Sequence, residues 1–292
     1  MKIAIYSRRL DDKHLLFIQT LFQSLLNKGV EVLVYDKFYE ELKGKLELES
    51  KILTFNAHQD IADVNYMFSV GGDGTLLKTI TYVRDKDIPI FGINTGRLGF
   101  LTSIATEEVD LAIDAILSGD FDLDERTLLT LETENDLFGE ANYALNEITL
   151  QKKDTSSMIT IEAYLDGEFL NSYWADGLII STPTGSTAYS LSCNGPIILP
   201  GSGNIIVNPI APHNLNVRPV VIPDDTELTL KIKGRTDNFL VALDSRSLTV
   251  SLSMKLKIKK SSHHINIIRL KDHSFLKTLR SKLSWGHDKR NY

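Results

Sequence analysis

The feature that most limits the fold is a change of rhythm near Phe121. Before it, short apolar strands alternate with amphipathic helices; after it, strand-like segments follow one another with turn signals between them. The spacing predicts a first strand around Ile3 and Ile5. It then predicts a helix in "HLLFIQTLFQSLLNKG", where Leu15, Ile18, Leu21, Phe22, Leu25 and Leu26 recur at helical intervals up to Gly29. "VEVLVY" and Met67 to Val70 read as strands, "TLLKTITYVRD" as a helix, "IPIFGIN" as a strand, and "EEVDLAIDAILSG" as a helix closing at Gly119. Such alternation implies a mainly parallel sheet covered on both faces. The later segments "RTLLTLET", "ANYALNEITLQ", "MITIEAYLDGEFLNSYWADGLIIST", "ELTLKIKG" and "NFLVALDS" read as strands, with Asp166-Gly167 as a turn. The expected fold class is an α/β N-terminal domain over 1–121 and an all-β domain over 122–265. A helical tail over 266–292 follows, whose Phe275, Leu276, Leu279 and Leu283 need the surface of the first domain.

With 292 residues, 42% of them hydrophobic and 24% charged, the chain is long enough for two domains with real cores. A formal net charge of −6 argues against broad electrostatic binding to nucleic acid or to an anionic membrane. The single Cys193 excludes an intramolecular disulfide framework and fits a reducing compartment. As a nucleophile it lacks a committed His partner, so a small half-buried side chain is the expectation. No stretch has the length of a signal peptide or a membrane span, and a cytoplasmic location is expected.

Three segments carry chemistry. In "YMFSVGGDGTLL" a strand runs into Gly71-Gly72-Asp73-Gly74-Thr75 and then a helix, the usual geometry for binding at a sheet's carboxyl edge. Glycines bring N–H groups close to phosphate, and the helix N-terminus adds favourable dipole, yet neither the P-loop nor the dinucleotide spacing is present. An aspartate among phosphate donors has two chemical uses: holding Mg²⁺ that bridges phosphate oxygens, or taking a proton from an attacking hydroxyl. The plain alternative is a tight turn with Asp73 as a local cap. Lys78, one helical turn on, offers positive charge or is simply exposed. In "LNEITLQ", Asn146 and Glu147 interrupt a strand and, as neighbours on it, point to opposite faces. They suit a base edge or ribose hydroxyls, or are an exposed polar pair. In "WADGLIISTPTGSTAYSLSCNGPIIL", a strand from Leu178 to Ser181 meets a hydroxyl-dense glycine turn, where Ser186 or Thr187 is placed to cap a short helix. Asp176 before it suits an amide or hydroxyl donor. His213 and Arg218 are equally a phosphate pocket or surface residues. No His or Cys spacing suggests a protein-held metal cage.

Taken together, these pieces resemble the ATP-dependent NAD kinases (inorganic polyphosphate/ATP-NAD kinases). The resemblance rests on "GGDGT" at 71–75, "GINTGRLGFL" at 92–101, "NE" at 146–147, "DGLIISTPTGSTAYSLS" at 176–192 and "APHNLNVRP" at 211–219, in that order along the chain. "GGDGT" is shared with phosphofructokinases and with diacylglycerol and sphingosine kinases, whereas the long segment after Asp176 is specific. The resemblance implies that ATP, with Mg²⁺ or another divalent cation, phosphorylates the 2′-hydroxyl of the adenosine ribose of NAD to give NADP. It makes Asp73 the general base. Gly72, Gly74, Lys78 and Phe100 would lie toward the nucleotides, Asn146 and Glu147 at ribose hydroxyls or adenine, and Asp176 at the nicotinamide end. Thr187, Ala188, Tyr189, Ser190, Leu191 and Ser192 would line the nucleotide pocket. Trp174 and Arg246 fall at positions that vary within the family. A homodimer or homotetramer is implied, with Arg218 serving a neighbouring subunit. Two other readings are a different small-molecule or lipid kinase sharing the glycine motif, and a non-catalytic NAD(P) sensor.

Overall fold

A computed structural model of the chain describes residues 1–9, 11–46, 52–96, 98–102, 104–153, 158–234, 238–251 and 254–285. Arg97 of the "GINTGRLGFL" segment and the last seven residues of the tail lie outside these. The chain divides into two compact units: Met1–Glu125 together with the chain from Ile265 on, and Arg126–His264.

In the first unit the alternation becomes β1 (Lys2–Tyr6), α1 (Leu15–Asn27), β2 (Glu31–Tyr35), α2 (Asp36–Leu42), β3 (Leu53–Phe55), β4 (Tyr66–Val70), α3 (Asp73–Val83), β5 (Ile90–Asn94), β6 (Ile104–Ala105) and α4 (Val109–Ser118). The strands pair in parallel in the order β3-β2-β1-β4-β5, with Ile3 opposite Val32, Ile5 opposite Phe68 and Phe68 opposite Phe91. A strand buried on both faces has no polar side to alternate, which is why β5 reads as an apolar run. Ile3, Ile5, Val32, Val34, Phe68 and Phe91 form one core with Ile18, Leu21, Phe22 and Leu25 of α1 and Ile113 and Ile116 of α4. The helix α4 stops where Gly119 takes a left-handed φ of 77°. The sequence reading passed over α2 because its seven residues bury only Phe38 and Leu42, too few to show a period.

The second unit is built from β7 (Asp122–Glu132), β8 (Tyr143–Ala144), β9 (Glu147–Lys152), β10 (Ile159–Leu165), β11 (Glu168–Ala175), β12 (Gly177–Ser181), α5 (Tyr189–Ser192), β13 (Asn204–Ile210), β14 (Val220–Pro223), β15 (Leu228–Lys233), β16 (Asn238–Leu243), β17 (Arg246–Ser251) and β18 (Leu256–Arg269). One antiparallel sheet has the order β14-β13-β12-β9-β16-β17; β11, β10, β15 and β18 follow one another in the other. Leu150 and Ile180 of the first sheet share a buried cluster with Ile161, Leu230 and Leu256 of the second. Asp166 and Gly167 turn the β10–β11 hairpin with φ of 48° and 86°, as the dipeptide predicted.

The last residues of β18 belong to the first unit, where Ile267 pairs in parallel with Ile90. Helix α6 (Phe275–Leu283) follows in that unit, its N-terminus capped by Ser274, whose Oγ accepts from the Lys277 amide at 3.2 Å. Among the described residues no helix is long and apolar enough to cross a membrane.

The ring centroids of Phe68 and Phe91 are 5.1 Å apart on the neighbouring parallel strands β4 and β5. Phe68→Ala removes one ring from a fully buried pair. It should lower the unfolding free energy by about 3–5 kcal/mol, read from urea denaturation with an unchanged slope.

Candidate active site

Strands β4 and β5 end side by side, so their following loops meet at the carboxyl edge of the parallel sheet. The loop after β4 is Gly71-Gly72, and Asp73 opens α3. Its carboxylate does not cap its own helix. It reaches instead across to the loop after β5: Oδ2 accepts from the Phe100 amide at 2.8 Å. Oδ1 accepts from the Leu101 amide at 3.1 Å, the Thr102 amide at 3.0 Å and the Thr102 hydroxyl at 3.0 Å. Three amides converging on one anion is a strong arrangement, because each bond is charge-assisted. The approach is so close that a Cβ on Gly99 would stand 1.9 Å from Asp73 Oδ1. Asn94, the last residue of β5, fixes the same loop by donating from Nδ2 to the Thr102 carbonyl at 3.2 Å and to its hydroxyl at 3.0 Å.

Beside the glycine turn lies a cavity of about 920 Å³ lined by Ser7, Arg8, Arg9, Asp11, Asp12, Lys13, His14, Lys45, Gly71, Gly72 and Thr75, among others. Its cations outnumber its carboxylates, and Lys13 pairs with Asp11 at 2.9 Å and Lys45 with Asp12 at 2.6 Å. Such a surface suits a chain of phosphates. Gly72 and Gly74 are exposed beside it; Lys78 is exposed further along α3, and Phe100 is half-buried. The sequence reading missed Asn94, Thr102, Gly99 and the basic residues of the cavity. The available signal was a second strand-to-glycine loop, "GINTGRLGFL", following the first.

In the second unit the "NE" segment and the hydroxyl-rich turn are brought together by the central pair β9–β12, where Glu147 stands opposite Ser181. Asn146 precedes the strand instead of lying on it, so the opposite-face expectation does not hold. Its carbonyl accepts from the Thr182 amide at 2.9 Å. The Thr182 hydroxyl donates to the Leu145 carbonyl at 2.5 Å and accepts from the Gly185 amide at 3.1 Å. Only glycine fits at 185, since a Cβ would lie 2.1 Å from the Asn146 carbonyl oxygen. The hydroxyls of the turn do not cap α5: Ser186 donates to the Pro183 carbonyl at 2.6 Å and Thr187 to the Thr184 carbonyl at 3.1 Å. They bind nearby carbonyls because the preceding residues form a tight 3₁₀ turn, Thr184–Thr187, that brings those oxygens within reach.

The "NE" backbone is shaped from far along the chain. Asp244, at the turn between β16 and β17, accepts from the amides of Leu145, Asn146 and Glu147 at 2.9, 2.8 and 3.2 Å. Burial raises its pKa above the usual carboxylate range, against those three bonds. Arg246 donates to the carbonyls of Ala141 and Tyr143, and its guanidinium lies 5.6 Å from the Tyr143 ring. Its hydrogen bonds thus brace the approach to the "NE" segment. Burial, and then the charge of Asp244, push the Glu147 carboxyl up to about 8; a backbone hydrogen bond from Tyr189 opposes them. Glu147 Oε2 is buried and has no hydrogen-bond partner among the described residues.

Nearby, Asp176 pairs with Lys152 at 2.6 Å, and the half-exposed Tyr189 accepts from Gln151 Nε2 at 3.0 Å. Ala188 and Leu191 are half-buried, Ser192 is exposed, and Ser190 is fully buried, held by Asn208 Nδ2 at 3.1 Å. Trp174 is exposed, and its ring centre lies 4.1 Å from that of His213 with the planes tilted by 41°. Arg218 is exposed and donates to the carbonyls of Leu215 and Val217. The lone Cys193 is half-buried, and burial raises its thiol pKa, as a structural cysteine's would be.

Residues 3–121 match the description "ATP-NAD kinase N-terminal domain" and residues 145–270 match "ATP-NAD kinase C-terminal domain". The chain is 47% identical over 292 residues to a protein named NAD kinase from Cytophaga hutchinsonii, covering 100% of both chains. It is 47% identical over 294 residues to a Flavobacterium johnsoniae protein of the same name, again covering 100% of both. Among solved structures it is similar to yeast NADH kinase complexed with NADH, with a TM-score of 0.90 and 22% identity over 100% of this chain and 89% of that one. It is also similar to an NAD kinase from Archaeoglobus fulgidus in complex with ATP, with a TM-score of 0.76 and 24% identity over 97% and 99% of the two chains. Likeness at these identities bears on the fold.

The position of Glu147 has a consequence for stability. A folded-state pKa near 8, against 4.5 for an ordinary glutamate, means the folded chain holds a proton that the unfolded chain has released between those values. The fold therefore loses stability as pH rises from about 4.5 to about 8 through this group. Glu147→Gln should be more stable than the parent above that range by on the order of 2–4 kcal/mol, with the difference vanishing at acid pH. Urea unfolding across pH reads it; a pH-independent difference would exclude the buried carboxyl as its source.

Proposed function

We propose that this chain, which belongs to the ATP-NAD kinase family, transfers the γ-phosphate of ATP to the 2′-hydroxyl of the adenosine ribose of NAD, giving NADP and ADP. The observation that carries this reading is the Asp73 carboxylate, fixed at the sheet's carboxyl edge beside a glycine turn and a basic cavity. The ribose oxygen attacks the γ-phosphorus, the bond from that phosphorus to the β–γ bridging oxygen breaks, and Asp73 takes the hydroxyl proton. Of its two oxygens, Oδ1 accepts three of the four hydrogen bonds and Oδ2 one, so Oδ2 keeps the greater capacity for a proton.

The donor's phosphates are assigned to the cavity of Arg8, Arg9, Lys13 and Lys45, with the amides of the Gly71–Thr75 turn toward the transferred group. NAD is assigned to the second unit: Asn146 and the unpartnered Glu147 Oε2 for ribose hydroxyls, Asp176 for the amide of the nicotinamide end, and Tyr189 with its flanking residues for the rings. A buried acceptor lacking a donor is a ready partner for a hydroxyl.

Among the described residues no group of three or more His, Cys, Asp or Glu is placed to hold a metal ion. The carboxylates of the cavity are paired with lysines, so they do not fit a protein-held ion. Mg²⁺ belongs to the proposal as part of the Mg–ATP complex, carried on phosphate oxygens and neutralising their charge. Self-association is also part of the reading, supported by the exposure of Trp174 (45%), Leu215 (87%) and Val221 (45%) in the second unit. Sedimentation finding only monomer at assay concentrations would remove it. A cytoplasmic setting fits the soluble substrates.

The test is NADP formation from NAD and Mg–ATP. Asp73→Asn keeps the shape and removes the proton acceptor, and should lower kcat by about 10³-fold. Arg8→Met should raise the KM for ATP about tenfold, with the KM for NAD unmoved. A wild type that binds NADP and makes none from Mg–ATP and NAD is the non-catalytic sensor, and the kinase reading falls.

A further inference from the structure

We infer that the C-terminal helix positions the catalytic carboxylate: Lys282, with Phe275, holds the loop Leu98–Thr102 whose amides orient Asp73. This rests on the reading of Asp73 as the base. The loop supplies four donors to that carboxylate, the amides of Phe100, Leu101 and Thr102 and the Thr102 hydroxyl. Its own composition does little to fix it, because Gly99 falls within it and Gly96 just before it, and glycine leaves the backbone free. Two outside supports make up for this. Asn94 ties the Thr102 end to β5. At the other end Lys282 Nζ donates to the Leu98 carbonyl at 2.6 Å, two residues before the first amide that meets Asp73.

The same ammonium lies 5.7 Å from the centre of the Phe100 ring, and that ring lies 6.3 Å from the ring of Phe275. One helix therefore grips both the carbonyl and the side chain of the loop, through the first residue of α6 and the last but one. The grip is separable from the packing of the helix. Thr278 and Leu279 are its buried residues, and Lys282 is exposed, so removing the ammonium leaves that anchor in place. Lys282 is a positioning residue: it touches neither substrate nor the reacting atoms, and acts through the amides of 100–102.

Lys282→Met keeps the side-chain length and removes the donor. It should lower kcat about fivefold, leave the KM for ATP and NAD within about twofold, and keep the melting temperature. The amides of Phe100, Leu101 and Thr102 should exchange hydrogen about tenfold faster, measured site by site in the same protein. Lys282→Arg restores a donor and should return both quantities to within about twofold of wild type, and Arg280→Met on the same helix should move neither. The inference is overturned if Lys282→Met leaves both kcat and exchange at wild-type values, or if either changes without the other. Full activity in Asp73→Asn would overturn the underlying assignment of the base, and that failure is read in a different variant from the failure of the clamp.

Discussion

Three backbone amides and a hydroxyl converge on one carboxylate at Asp73, and the site of the first unit is arranged around that convergence. It explains why two separate loops at the sheet edge share one geometry. It also explains why the position facing the carboxylate is Gly99, since no other side chain leaves room. Negative charge beside a glycine turn is thereby met by loop dipoles, while the lining of the neighbouring cavity stays basic.

The second unit uses the same device. Asp244 gathers the amides of Leu145, Asn146 and Glu147, as Asp73 gathers those of Phe100 to Thr102. The difference lies in burial. Asp244 stands in the interior, where burial raises its pKa, and its charge adds to the burial that raises the pKa of Glu147. An electrostatic cost concentrated at one polar turn is the usual mark of a functional site.

The architecture was legible because its signals are periodic and local. Leu15 to Leu26 repeat at helical spacing, β5 reads as a buried run, and Asp166-Gly167 announces its hairpin. Asp73 and the segment from Asp176 to Ser192 stood out by composition. What escaped were side chains whose role depends on a partner far along the chain. Nothing in "LDSR" hints that Asp244 shapes a turn 98 residues earlier, and nothing in "RSKL" hints at a carbonyl of the Leu98 loop. The hydroxyls of the Thr-Pro-Thr-Gly-Ser-Thr turn were expected at a helix cap, but the 3₁₀ turn offered closer carbonyls. Short α2 escaped for lack of length.

The long reach of Asp244 bears on how the protein is made. A ribosome delivers Leu145 to Glu147 well before Asp244, and β9 finds its neighbour β16 only when residues 238–243 have followed. During translation the "NE" turn therefore lacks the anion that gathers its amides. The first unit waits longer still, for Ile267 to complete the pairing with Ile90 and for α6 to arrive. Each unit thus completes its fold late in synthesis, through residues that lie 98 and 177 positions beyond the partners they close on.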